Sequence, residues 1–238
     1  AEMAEGFSRL AAADLRLVAS LESPDAEALQ AQLGLGSRQI FVGEGPMMAS
    51  LFFEGSGPDG FEGRVGLSQD GQSLSYYGRV TIAENGEISG DGSLDALMDD
   101  AGGIAALVGF AGTSLPAIDA NAAVQFAGTR TLSLENIAGV AGDTSFTGEL
   151  SMQTVGQLPT YTGSLKADSV DALELATAFL GKEPLAVPGD SIWPEGPLAV
   201  ELAPRSSRGN IAVTAGSVTL ADNAVAGETS FGFNWDPT

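Results

Sequence analysis

Ser73–Ile82 reads SLSYYGRVTI. Leu74, Tyr76, Gly78, Val80 and Ile82 form one row, and Ser73, Ser75, Tyr77, Arg79 and Thr81 form the other. Successive side chains of an extended chain point to opposite faces, so this period of two describes a strand with one apolar and one wet face. That pattern is typical of antiparallel sheet.

The same alternation recurs on both sides. Met47, Ala49, Leu51 and Phe53 share a face, as do Phe61, Gly63, Val65 and Leu67. Ile118–Phe126, Phe146–Met152, Leu198–Leu202, Ile211–Ala215 and Phe231–Trp235 repeat it. Between the runs stand turn formers. Asp70-Gly71 and Asn85-Gly86 supply the positive φ of tight hairpins, and residues 55–60 (GSGPDG) suit a longer loop. Pro46, Pro116, Pro159 and Pro197 precede strands, where a missing N–H is tolerated. The expected fold is mainly β with short helices, an antiparallel meander of about a dozen strands of the usual ~5–6 residues.

Three helices are expected, near 24–34, 94–108 and 169–180. Pro24 suits a first turn with Ser23 as cap, and Asp168 or Ser169 would cap the third. Gly102-Gly103 weakens the middle one, at roughly 1 kcal/mol per interior glycine. The segments share an outline. Tyr161–Gly181 (YTGSLKADSVDALELATAFLG) is echoed by Leu17–Gly36 and more loosely by Ile88–Gly109. Gly142-Asp143-Thr144-Ser145-Phe146 is likewise echoed by Gly227-Glu228-Thr229-Ser230-Phe231. Residues 1–238 therefore read as a single β-rich domain built from repeated strand–helix units.

Composition narrows the chemistry. The 238 residues contain no Cys and no His, which excludes disulfides, thiol nucleophiles, zinc fingers and histidine bases. Acidic residues number 31 against 10 basic ones, a net charge of −21. Such a surface repels phosphate backbones and anionic membrane surfaces, so nucleic acid is not an expected partner. The apolar run Ile104–Phe110 is far shorter than the ~18 residues that a spanning helix requires. The chain starts at Ala1 without Met or a visible signal peptide, and is expected to be a segment of a larger protein whose membrane anchor lies elsewhere.

The carboxylates give no catalytic set. Asp91-Gly92-Ser93-Leu94-Asp95 has part of a calcium-loop pattern but lacks the terminal bidentate Glu. Asp91, Asp95, Asp99 and Asp100 fit a helix N-terminus, and Asp168 and Asp171 fit caps. No enzyme activity, metal or cofactor is expected. In-strand Gly63, Gly78, Gly148 and Gly163 lie on apolar rows and point to a sheet that curls. Phe53, Phe61, Tyr76, Phe126, Phe146, Phe231, Phe233 and Trp235 occupy the same rows. A curved single sheet leaves its inner face for something apolar to fill.

Several of these stretches resemble the AsmA-like family of bacterial envelope proteins. They are the Tyr161–Gly181 unit, the strand entry from Gly142 to Leu150 (GDTSFTGEL), Leu132–Gly139 (LSLENIAG) before it, and Ser191–Leu198 (SIWPEGPL). The resemblance runs over roughly residues 14–235, and departs from the family in the missing N-terminal anchor and the Gly102-Gly103 break. It implies a curved, groove-like antiparallel sheet in the periplasm, attached to the inner membrane through a segment absent from this chain. It also implies a non-catalytic part in binding or conducting phospholipid between inner and outer membranes. The lipid-contact candidates are Tyr76, Phe126, Phe146, Leu150 and Phe231. Expected partners are phospholipid or other acyl chains and the rest of the full-length protein. Two other readings stand beside this one: a structural scaffold module with a closed core and no lipid, and a carbohydrate hydrolase using two carboxylates.

Overall fold

The computed structural model describes residues 14–35, 40–56, 59–107, 115–156, 158–175, 207–221 and 224–237. The expected Leu198–Leu202 strand, the Ser191–Leu198 tract and the stretch from Ala176 to Gly181 lie outside the described residues.

Among the described residues twelve strands form one sheet. They are β1 (Asp14–Ser23), β2 (Met47–Ser56), β3 (Gly60–Gln69), β4 (Gln72–Ile82), β5 (Ile88–Met98) and β6 (Ile118–Ala127), then β7 (Thr131–Ala141), β8 (Thr144–Val155), β9 (Leu158–Asp171), β10 (Arg208–Ala221), β11 (Ala224–Ala226) and β12 (Thr229–Trp235). Strands β1 to β9 pair in chain order as the expected antiparallel meander. Strand β10 departs from it and runs parallel to β9, with Tyr161 beside Gly209 and Leu165 beside Val213. A parallel neighbour needs a long crossover rather than a hairpin, and the chain from 172 to 207 supplies that length.

The strands are longer than expected, ten to fourteen residues from β1 to β10. Glycines and aspartates that favour turns locally are carried inside strands by pairing on both sides, as at Gly90-Asp91-Gly92 between Gly78–Val80 and Val124–Phe126. The echoed Gly-Asp/Glu-Thr-Ser-Phe segments do not share a structure. Gly142-Asp143 turns the chain from β7 into β8, whereas Gly227-Glu228 interrupts one strand. Ala226 faces Val218 and Thr229 faces Ala215, so β11 and β12 keep a single register along β10.

Turn chemistry explains the tight connections. Asp70 and Gly71 both have positive φ, 49° and 84°, as a two-residue primed turn requires. At 83–87 only Gly86 does, at 82°, and Asn85 instead accepts a hydrogen bond from the Glu87 N–H through its side chain. Asn136, at φ 52°, is an extra residue in β7: the pairing shifts by one against both β6 and β8 there. It is a β-bulge, which tightens local twist.

The helices are shorter and later than expected. Helix α1 (Ala26–Gln32) is capped by Asp25, which accepts from the Ala28 N–H at 2.9 Å, so Ser23 is not the cap. The helix expected over 94–108 is mostly strand. Leu94, Ala96 and Met98 keep period two to the end of β5, and α2 covers only Gly102–Leu107. Gly102-Gly103 opens this helix instead of breaking it. Gly103 lies against the Ile40 main chain, where an added Cβ would come 2.7 Å from the carbonyl carbon. Asp100 accepts from the N–H groups of Gly102 and Leu115, both at 2.7 Å. Strand β9 runs through Asp168 and Ser169, and Asp171 caps a helical turn at 172–175 through the N–H groups of Leu173 and Glu174. Asp91 and Asp95 stand in mid-strand, not at a helix N-terminus. A helical segment thus follows β1, β5 and β9, each time at the same end of the sheet.

That end holds a compact core. Leu29 of α1, Ile40, Phe41, Met47, Ala49 and Met98 are buried together, with Leu67, Leu74, Ile104 and Ile118 packed against them. Buried glutamines hold the 40–45 loop in place. Gln30 accepts from the Ile40 N–H, Gln69 donates to the carbonyls of Gly43 and Gly45, and Gln72 donates to the Val42 carbonyl while accepting from the Asp99 N–H. Backbone groups that no strand can serve are thereby satisfied.

Candidate ligand-binding face

Cross-strand partners lie on the same side of a sheet, so the register assigns every strand residue to a face. One chain of partners runs Leu17, Phe53, Gly63, Gly78, Gly92, Val124, Leu134, Leu150, Gly163, Ile211, Phe233. The parallel row nearer the helices runs from Leu21 through Ala49, Leu67, Leu74, Ala96, Ala120 and Gly139 to Phe146 and Ala167. The opposite side carries Ser, Thr, Asp, Glu, Asn and Arg, for example Glu62, Arg79, Asp91 and Gln125 in succession. The described sheet therefore has one continuous apolar face and one mainly polar face, on which Val18, Met48, Phe52, Leu97 and Val140 also stand.

Side chains converge on the apolar side. A Cβ added to Gly78 would meet the Asp91 carbonyl oxygen and lie 2.5 Å from the Gly92 Cα, and one added to Gly139 would lie 2.5 Å from the Ala120 Cβ. On the polar side contacts are looser: a Cβ at Gly66 would come 2.9 Å from the Ser50 Oγ, a side-chain atom, and one at Gly232, on the outermost strand, would meet nothing closer than 3.8 Å. Neighbouring strands that crowd on one face and spread on the other curve toward the crowded face. Large side chains lie over several of these glycines: Phe53 over Gly63, Phe126 over Gly90 and Trp235 over Gly209.

All five candidate contact residues stand on the apolar face, since Tyr76 pairs with Leu94, Phe126 with Leu132, Phe146 with Gly139, Leu150 with Gly163 and Phe231 with Val213. Tyr76 and Phe126 meet edge to face at 5.8 Å between centroids, and Phe231 meets Phe233 likewise at 5.4 Å. The five are spread along the sheet and do not form one cluster. Each is half-buried, unlike Phe41 and Phe61, which are 1% exposed. The main contacts between described elements are those of hydrogen-bonded strand neighbours and of α1 with β1. No second sheet packs on this face among the described residues.

The tyrosines report their surroundings. Tyr76 Oη lies 3.0 Å from the Arg79 carbonyl and 3.1 Å from that of Asp91. Burial first, and the Asp91 charge second, hold its pKa above the ordinary phenol value. Burial raises Tyr161 as well, beside the stacked Trp235 at 6.4 Å. The folded values are raised, so the stability from keeping these phenols neutral is present below about pH 10 and lost as pH rises through the raised values. Absorbance titration should show a late tyrosinate component that Tyr161→Phe reduces and Tyr76 still contributes to, with alkaline unfolding shifted to higher pH in that variant. Loss of an early component instead would contradict the placement of Tyr161.

The polar face holds charge in cross-strand neighbours. Arg79 stands between Glu62 and Asp91, Arg16 faces Glu54 at 3.9 Å, and the Arg64 guanidinium lies 4.9 Å from the Tyr77 ring centroid. An open depression of about 560 Å³ is bordered by residues from both rows of β4 to β8, among them Thr81, Asp91 and Gln125 and also Phe126, Leu132 and Met152. Among the described residues no three acidic side chains come together to hold a metal ion, and no helix is long and apolar enough to cross a membrane. The sequence reading missed the glutamine clamps and the Asn136 bulge, because their roles depend on partners 10 to 30 positions away or on register. No protein-family model, curated protein or solved structure matches this chain.

Proposed function

We propose that this chain is a non-catalytic module whose apolar face holds phospholipid acyl chains, as part of a groove in an AsmA-like protein of the bacterial periplasm. One observation carries the reading: an unbroken apolar face crosses the described sheet, and Tyr76, Phe126, Phe146, Leu150 and Phe231 on it remain partly exposed although Val80, Val124 and Val213 on the same face are buried. A soluble protein rarely leaves so long an apolar strip open without an apolar occupant. The helical segments after β1, β5 and β9 support a module of four strands and one helix, repeated along the sheet. The net charge of −21 on the whole chain disfavours contact with an anionic bilayer surface, which fits a polar face turned toward water.

The test uses a photoreactive phosphatidylethanolamine. The parent protein should crosslink through the apolar face. Phe146→Asp and Leu150→Asp should each cut crosslinking about tenfold while lowering the melting temperature only modestly, since a charge at a wet groove keeps part of its hydration. Collapse of both variants with no crosslink in the parent would favour a closed scaffold.

A further inference from the structure

The two edges of the sheet are not alike. The outer edge at the C-terminal side is guarded: β11 and β12 are broken at Gly227-Glu228, and the pairing with β10 shifts near Ala221. Short, interrupted and charged edges resist the addition of a strand. Strand β1 is neither short nor interrupted, and its charges, Asp14, Arg16 and Glu22, are of both signs and so can be paired by a suitable neighbour. It runs ten residues, DLRLVASLES, in unbroken register with β2, without Pro, Gly or bulge. Among the described residues no strand pairs with its outer side. Its apolar side chains stand in water: Leu17 is 42%, Val18 66% and Leu21 50% exposed.

The strand is also complementary to itself. When two β1 strands are laid antiparallel with Ala19 opposite Ala19, Arg16 faces Glu22 and Glu22 faces Arg16 on the polar side. On the apolar side Leu17 faces Leu21 twice. A shift of two residues puts Asp14 opposite Glu22 and loses both ion pairs. We infer that β1 is the docking edge for a second copy of this chain, joined through a two-fold β1–β1 pairing centred on Ala19. The two-fold axis is then perpendicular to the sheet, so both apolar faces lie on the same side and run on as one. Added main-chain hydrogen bonds supply the attraction, and the Arg16–Glu22 and Leu17–Leu21 pairs fix the register. Arg16 already has Glu54 as its cross-strand neighbour, and gains a carboxylate on its open side.

Sedimentation over about 1–300 μM tests the association, a range suited to an interface below the standard size. The parent is expected to dimerise. Arg16→Glu and Glu22→Arg singly should each raise the dissociation constant roughly tenfold or more by placing like charges opposite one another. The double variant Arg16→Glu/Glu22→Arg should recover most of it, while circular dichroism stays unchanged in all three. Register is read by single cysteines in a chain that has none of its own. Ala19→Cys should form an interchain disulfide under mild oxidation, and Leu17→Cys should not. A monomeric parent throughout the range overturns the inference. So does a dimer that is indifferent to both single charge reversals, or one that crosslinks equally well at both cysteines.

Discussion

Gly78→Val is expected to open the β4–β5 pairing and to lower stability by more than about 3 kcal/mol, the upper range for overpacking and beyond what side-chain repacking absorbs. The strand interior ordinarily welcomes valine, so propensity alone predicts the opposite. The difference lies in what surrounds the site. Gly78 faces Gly92 across the strands, and a Cβ there meets the Asp91 carbonyl and the Gly92 Cα. Both are main chain, and main chain yields only if the strands part. For a domain of this size the loss corresponds to a fall in Tm of at least about 6–12 °C. Gly232→Val is the control. It lies on the polar side with nothing within 3.8 Å of its Cβ, and should be near neutral. Equal effects at both sites would show that crowding on the apolar side is not what the glycines accommodate.

Phe41→Ala is expected to cost about 3–5 kcal/mol, the range for emptying a buried aromatic site. Phe41 is 1% exposed and packs with Leu29, Ile40, Met47 and Met98. The surroundings are poorly able to close the gap, because Gln69 and Gln72 hold the neighbouring loop carbonyls at fixed positions. The melt should therefore move far more than in Leu150→Asp, although the second change introduces a charge. That ordering separates the helix-capped end, which is a true core, from Leu150 and its cross-strand neighbours Leu134 and Gly163, which are partly exposed. A larger loss in Leu150→Asp than in Phe41→Ala would mean that the middle of the face is the closed core.

Much of the sheet was legible because period two survives any choice of partner. The rows through Leu74–Ile82, Phe146–Met152 and Phe231–Trp235 each fell on the face their alternation indicated. All five candidate residues share that face for the same reason. The helices were harder. Leu94–Met98 carries apolar residues at spacings that fit a helix face or a strand face, and only pairing with β4 and β6 settles which. Asp168 and Ser169 look like caps, yet the parallel neighbour β10 extends β9 past them to Asp171. Gly102-Gly103 reads as a helix breaker, because propensity does not reveal the Ile40 backbone that excludes any Cβ. The likeness of Gly142–Phe146 to Gly227–Phe231 misled differently: one sequence turns a hairpin and the other interrupts a strand, and the neighbouring strand decides between them.

The most direct test of the central claim is native mass spectrometry of the parent protein after incubation with phosphatidylethanolamine–phosphatidylglycerol vesicles and removal of the vesicles. A retained mass equal to whole phospholipid molecules is expected, lost when detergent displaces the lipid and absent from Leu150→Asp at unchanged circular dichroism. A parent that stays lipid-free after this exposure, with its apolar face protected from solvent-borne hydrophobic probes, would contradict it.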